Sequence, residues 1–219
     1  MPRIEPIPLT ELAPEPRRII EEGVALGANA VIIGPCYIGP RTQVTPLSLI
    51  RAGTTIGSDC KVGGEIANSI LMGCTNKAHD GYLGDSFLGE WVNFGAGTTT
   101  SNLKNTYGDI QVQVGSRSMP TGRQFLGSLV GDHTKTAIGT RLLTGTYVGY
   151  CCSLANSGFA PRFVPSFTFL TDKGPERYDM GKATDVMQAV FARRKRPWTT
   201  EDGVMLRYAA ETAAAVEGS

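Results

Sequence analysis

From Leu26 onward an aliphatic residue returns every six positions: Leu26, Ile32, Ile38, Val44, Ile50, Ile56 and Val62. Glycine follows directly at Gly27, Gly39, Gly57 and Gly63. The phase slips by two after Val62; Leu88 and Phe94 then resume it, each followed by glycine. Further on, Val130, Thr136, Leu142, Val148 and Leu154 keep the same spacing. This period matches neither the ~3.6 of an amphipathic helix nor the simple alternation of a half-buried strand. It fits a short strand and a corner, with one aliphatic side chain per face turned inward. Three such faces make a coil of about 18 residues, and stacked coils bury a continuous aliphatic column. The expected fold is all-β: a left-handed parallel β-helix of hexapeptide repeats with C-terminal helices, an exception to the usual crossover handedness. The competing reading is a sandwich with regular turns, but strands this short would fill its core poorly.

The rhythm divides the chain. Residues 24–165 are expected to form the β-helix. It breaks at 103–129, where Gln111-Val112-Gln113-Val114 follows Tyr107-Gly108-Asp109, and this predicts a loop or hairpin extruded from the coil. Such extrusions often carry function. Residues 1–23 read as an irregular lead with a short helix near Pro16–Gly23, where a first-turn proline is tolerated. Residues 166–219 read as a strand and helical cap. Segments 181–195 and 200–215 have helical composition, with Thr199 or Thr200 as N-cap. These helices are expected to cover the open end of the coil, which would otherwise expose an unpaired edge.

Composition narrows the partners. With 219 residues, 41% hydrophobic and 19% charged, the chain is an ordinary globular one. Its 21 basic and 20 acidic residues leave a charge of +1 and no broad basic surface, so no nucleic acid partner is expected. The 27 glycines are scattered singly, as tight corners at regular intervals require. Cys36, Cys60, Cys74, Cys151 and Cys152 form no C-x-x-C pair and read as free thiols in a reducing compartment. No apolar leader and no apolar run of about 20 residues is present, so a cytoplasmic protein without membrane attachment is expected.

His79 and His133 are the only histidines. A β-helix zinc enzyme needs three histidine ligands, which this chain supplies only if equivalents meet at a trimer axis; no metal is expected. His79 lies where the phase slips, in His79-Asp80-Gly81-Tyr82-Leu83-Gly84-Asp85, followed by Trp91-Val92-Asn93-Phe94-Gly95-Ala96-Gly97-Thr98 and Ser101-Asn102. In order and spacing these segments resemble the acetyltransferase domain of the bifunctional N-acetylglucosamine-1-phosphate uridylyltransferase/glucosamine-1-phosphate N-acetyltransferase family. A closer resemblance is to the bacterial sugar nucleotidyltransferase/acetyltransferase group, through Asn76–Gly81, Gly89–Trp91, Ser101–Asn105 and Val164–Phe167. The similarity covers about residues 24–200.

That resemblance implies an acetyl-CoA-dependent N-acetyltransferase acting on an amino-sugar 1-phosphate, glucosamine 1-phosphate first, and working as a homotrimer. His79 would be the general base, since imidazole titrates near working pH. Tyr82 and Asn93 would hydrogen-bond the sugar phosphate, and Asn102 would position the sugar. Ala96 would meet the acetyl-CoA thioester, where a backbone amide could stabilise the oxyanion. Arg51 falls where the family's phosphate-binding arginine does, and its guanidinium fork suits phosphate; a solvated corner residue is the alternative. The family's second phosphate ligand, a lysine, is Ser69 here; Lys77 or Lys104 could replace it. Asp132 and Tyr150 stand where the family has Ser and Ala near CoA, so those contacts are not carried over. His133 is read as structural or CoA-adjacent. Arg193-Arg194-Lys195-Arg196 reads as a solvated helix end or a contact for the phosphates of CoA. No pyrophosphorylase-type Gly-x-Gly-Thr-Arg loop occurs. A second reading therefore stands beside the first: a non-catalytic trimerisation or regulatory module for a separate nucleotidyltransferase subunit. Acetylation of a different amine or hydroxyl is the third.

Overall fold

A computed structural model describes residues 17–217. The six-residue rhythm becomes strands of two to four residues separated by corners. They stack into three parallel faces, and the fold is a left-handed parallel β-helix of about eight turns. The first face is an eight-stranded sheet: Arg18–Ile20, Cys36–Ile38, Thr54–Ile56, Ile70–Leu71, Phe87–Leu88, Ser128–Val130, Thr146–Val148 and Phe163–Val164. The second runs from Ala25–Leu26 through Gln43–Val44 and Lys61–Val62 to Asn76–Lys77. Bridges at Asn93 carry it on to Lys135–Thr136, and Ser153–Leu154 and Thr168–Thr171 follow. The third holds Val31–Ile32, Leu49–Ile50, Glu65–Ala67 and Tyr82–Gly84, with Thr99–Thr100 and Arg141–Leu142 above.

The aliphatic column lies inside these faces. Ile38, Val44, Ile50, Ile56, Val62, Ile66, Leu71, Leu83 and Leu88 are each at most 2% exposed, and Val130, Leu142, Val148 and Leu154 continue the same cluster. Register explains the phase slip. Cys36 pairs with Thr54, 18 residues on, but Thr55 pairs with Ile70, only 15 on, and Ile70 with Phe87, 17 on. Three corners are shortened, so the inward positions fall at Val62, Ile66 and Leu71, and again at Leu83 and Leu88, less than six apart.

At the corner joining the first face to the second, Arg41, Asp59, Cys74, Trp91, His133, Cys151 and Phe167 stack with φ between 53° and 60°. This left-handed conformation is costly for residues other than glycine. Each N–H there is paired with a carbonyl of a neighbouring coil, as in Trp91 to Gly73 at 3.2 Å and His133 to Glu90 at 2.8 Å.

Two expectations are corrected. The short helix near Pro16–Gly23 is a strand where it is described: Arg18–Ile20 pairs in parallel with Cys36–Ile38. The open ladder edge at Cys36 offers more hydrogen bonds than a helix too short to nucleate. Pro16 itself lies outside the described residues. The C-terminal helices, α1 (Met180–Arg193) and α2 (Thr200–Glu217), do not sit over the end of the coil. They run along the first corner, where Ala183, Met187 and Leu206 pack with Cys151 and Phe167. Phe191 lies 4.5 Å from Trp91, and Arg194 reaches Asp59, several coils away. Asp179 caps α1 by accepting from the Lys182 N–H at 2.9 Å. Thr199 caps α2 in a reciprocal box with Asp202. Buried Glu217 accepts from the Ser166 N–H and hydroxyl at 2.8 and 2.7 Å and so ties the end of α2 to the coil.

The segment 103–127 leaves the coil at the third corner and contains an antiparallel hairpin, Gln111–Val114 with Arg117–Pro120. Replacing the wholly buried Ile66 by alanine empties one face of a coil that is already short. Ile66→Ala should lower unfolding free energy by about 2–5 kcal/mol in urea titration; a loss below about 1 kcal/mol would mean the column can collapse around the gap.

Candidate functional site

The shortened corner after Val62 consists of Gly63 and Gly64, and the loop 78–81 packs on it. A Cβ on Gly63 would lie 2.5 Å from the Ala78 carbonyl oxygen, and one on Gly64 2.8 Å from that of His79. Only glycine allows so close an approach.

Lys77 is fixed in the same place. It pairs with Val62, points into the column and is 2% exposed. Its ammonium donates to the carbonyls of Gly63 (2.9 Å), His79 (2.6 Å) and Asp80 (3.2 Å). Burial pulls its pKa down to about 8, against a smaller opposing pull from Asp80. Lys77 is therefore not a surface phosphate ligand, and the substrate-binding role expected for it is withdrawn. Its charge clamps the loop that carries His79. The six-residue spacing Leu71, Lys77, Leu83 already marks it as inward.

His79 is exposed at this second corner, and its imidazole has no partner among the described residues. Ala96 occupies the same corner one coil further on, between Asn93 and Thr99–Thr100. Its carbonyl accepts from the Gly139 N–H at 2.7 Å, while its own N–H meets no acceptor among the described residues.

On the third face, Arg51, Tyr82 and Asn102 line a groove of about 430 Å³ beside Leu103 and Phe125, at the base of the extruded segment. Asn102 donates to the Tyr82 hydroxyl (3.1 Å) and to Asp85 (2.6 Å), which also accepts from Asn68 (2.6 Å). Burial, with Asp85 nearby, raises the Tyr82 pKa, keeping the phenol protonated. Arg51 is paired with Glu65 at 3.0 Å on the surface. Asn93 lies across the corner on the second face, accepting from Asn76 at 3.3 Å. The fold thus brings Arg51, Tyr82 and Asn102 together, places His79 and Ala96 at the adjoining corner, and sets Asn93 on its far side.

Position 69 is internal. The Ser69 hydroxyl donates to the Ala67 carbonyl and accepts from the Ser86 N–H, stapling two coils at the third corner. His133 is also internal, at the first corner, stacked parallel to Trp91 at 6.1 Å and edge-on to Tyr150 at 5.6 Å. Burial, with Lys135 and Arg196 nearby, pushes its pKa down to about 3. It remains neutral and is a poor base. Asp132 accepts from the Glu90 N–H at 2.9 Å. Lys104 donates to the Asp109 carbonyl within the extruded segment. Arg196 lies over Phe191 at 4.2 Å and pairs with Asp202 at 2.8 Å. Among the described residues no group of three His, Cys, Asp or Glu side chains is placed to hold a metal.

The fold defines the chain as a hexapeptide-repeat β-helix protein with an exposed histidine on the loop that packs over a shortened corner. Over about 60% of its length the sequence is similar to parts of bifunctional sugar-phosphate nucleotidylyltransferase/acetyltransferases. It is 35% identical over 133 residues to the bifunctional sugar-1-phosphate nucleotidylyltransferase/acetyltransferase of Sulfurisphaera tokodaii, covering 60% of this chain and 33% of the relative. It is 38% identical over 132 residues to the bifunctional protein GlmU of Methanocaldococcus jannaschii, covering 60% and 31%. The chain spans about a third of the length of the curated relatives it matches. No protein-family model matches it. Among solved structures, a hexapeptide transferase family protein from Anaplasma phagocytophilum aligns over 91% of this chain and 90% of its own, at 15% identity and a TM-score of 0.35, too loose a superposition to carry weight.

Two titrations follow. The folded pKa of Lys77, about 8, lies below its ordinary 10.5. The unfolded chain then holds the extra proton between those values, and stability rises with pH across that window. Lys77→Met should lack this gain, about 3 kcal/mol, when urea unfolding is compared at both pH limits; a constant difference between the two proteins would contradict the buried charge. For His133, the folded pKa of about 3 lies below the usual 6.5. Stability is therefore lost as pH falls below 6.5, by up to about 1.4 kcal/mol per unit. His133→Phe should unfold at lower pH than the wild type by circular dichroism.

Proposed function

We propose that the protein is an acyltransferase that moves the acetyl group of acetyl-CoA to the amine of an amino-sugar 1-phosphate, glucosamine 1-phosphate being the first candidate. The observation that carries this reading is the pairing, in consecutive coils of one corner, of an unpartnered imidazole at His79 with an unpartnered backbone amide at Ala96. His79 takes the amine proton as nitrogen attacks the thioester carbonyl. The Ala96 N–H stabilises the oxyanion of the tetrahedral adduct. Collapse breaks the carbon–sulfur bond, and the imidazolium returns its proton to the leaving thiolate. Tyr82 and Asn102 orient the sugar from the third-face groove, and Asn93 approaches from the second face. Arg51 reaches a phosphate only by exchanging Glu65 for it.

The outward side of the first face supports a homotrimer. Ile19, Tyr37, Thr55, Ile70 and Phe87 stand in one paired row, with Ile19 51%, Ile70 44% and Phe87 38% exposed. Such a row is suited to packing against copies of the chain. The five unpaired cysteines support a reducing, cytoplasmic setting. Among the described residues no helix is long and apolar enough to cross a membrane. The second reading, an assembly module for a nucleotidyltransferase subunit, is favoured by position 69, an internal serine where the resemblance calls for a phosphate-binding lysine.

CoA release from acetyl-CoA, measured with a panel of amino-sugar 1-phosphates, tests the proposal. The wild type should turn over at least one of them, and His79→Ala should be slower by about 100-fold or more with KM little changed. Wild-type silence with every acceptor, together with co-purification of a nucleotidyltransferase and no acetyl-CoA binding, would select the second reading.

A further inference from the structure

The second face carries a cavity of about 250 Å³ lined by three cations, Lys135, Arg193 and Arg194, and by no carboxylate. The β-ladder and α1 meet there. Lys61, Asn76, Asn93 and Lys135 follow one another as paired residues up the second face, so neighbouring members lie about 4.8 Å apart. α1 ends against this row. Arg194 donates to two neutral oxygens, the Asp59 carbonyl at 2.8 Å and the Asn76 side chain at 2.9 Å. The Lys135 ammonium donates to the His133 carbonyl at 2.9 Å, and burial lowers its pKa. Arg193 has no partner among the described residues. The neighbouring carboxylates stay outside the lining: Asp59 pairs with Arg41 at 2.6 Å and offsets only part of the Arg194 charge, and Glu90 lines the adjoining cavity beside Trp91 and His133.

Three positive charges converging on a cavity with no carboxylate in its lining repel one another, and a bound anion would relieve them. Helix-end electrostatics account for Arg193 and Arg194, but not for a lysine half-withdrawn from water in the sheet opposite them. Two side-chain amides, of Asn76 and Asn93, join the cations in the lining beside Cys74 and the apolar Trp91, Val92 and Val190, which suits a group offering several acceptor oxygens. We propose that this cavity is a phosphate-binding subsite, with Lys135, Arg193 and Arg194 as charged donors and Asn93 as a neutral one. Its use in catalysis rests on the acyl-transfer reading; its capacity to hold phosphate does not. Asn76 precedes His79 by three residues, so the two backbones are at most about 11 Å apart. A phosphate held here therefore lies near the base. The subsite also answers a shortage on the third face, where Arg51 is paired with Glu65 and position 69 is internal. The phosphoryl group could belong to the acceptor sugar or to CoA.

Calorimetric titration of the full chain with inorganic phosphate and pyrophosphate tests it. Exposed Arg193→Gln leaves the fold intact, and Lys135→Gln/Arg193→Gln goes further. Loss of charged hydrogen bonds should weaken binding by about tenfold or more, while Lys173→Gln, on a distant turn, should leave it unchanged. A rise in KM for the amino-sugar phosphate, with the unphosphorylated amine unaffected, identifies the acceptor as the source; a rise in KM for acetyl-CoA identifies the cofactor. Equal phosphate affinity in wild type and both variants, or no wild-type binding at low salt, overturns the subsite. If acetyl transfer is absent but phosphate binds and the variants lose it, the subsite stands and the acyl-transfer reading falls.

Discussion

Vertical stacking is the interaction on which everything in this molecule rests. Strands of two to four residues have too few hydrogen bonds and too little apolar surface to persist singly. Each side of a coil has room for one inward side chain, and that residue is dry only when the coils above and below are in register. The first-corner residues accept a costly backbone conformation because doing so keeps their N–H groups on the ladder. The helices then add a second, smaller core along the outside, built on Trp91, Cys151 and Phe167.

The coil that bears His79 departs from this scheme at several points together. Its column position is a lysine, the corner beneath it is two glycines, and its loop rests on both. A buried ammonium bonded to three carbonyls is expensive to desolvate and expensive to lose. The same charge ties the His79 and Asp80 carbonyls to a fixed point in the core. Local departures from the folding pattern concentrate where a site needs a particular backbone path.

Much of this was legible in the chain. A six-residue period has one physical solution at this strand length, so the fold class followed from Leu26 to Val62 alone. The phase slip correctly marked an irregular coil, although the shortened corners behind it needed the register. Lys77 was misread because its charge suggested a surface, whereas its spacing from Leu71 and Leu83 placed it inside. The helix expected near Pro16–Gly23 failed because a local reading cannot see the ladder edge waiting at Cys36. The position of α1 was equally hidden: it depends on large residues at successive corners, which lie far apart in sequence. Of the site residues, the sequence supplied their order, but not that Asn93 and Tyr82 face opposite sides of one corner.

The extruded segment has a wider meaning. Phe87 pairs with Leu129, 42 residues later, in the same parallel register as neighbours 15 to 18 apart. The ladder does not record what happens between them. Closing a longer excursion costs an entropy that grows only with the logarithm of its length. The third corner above Asp85 is therefore a port: chain can be added or removed there while the coils on either side stay in register, so the surface beside the groove can diversify without renegotiating the fold.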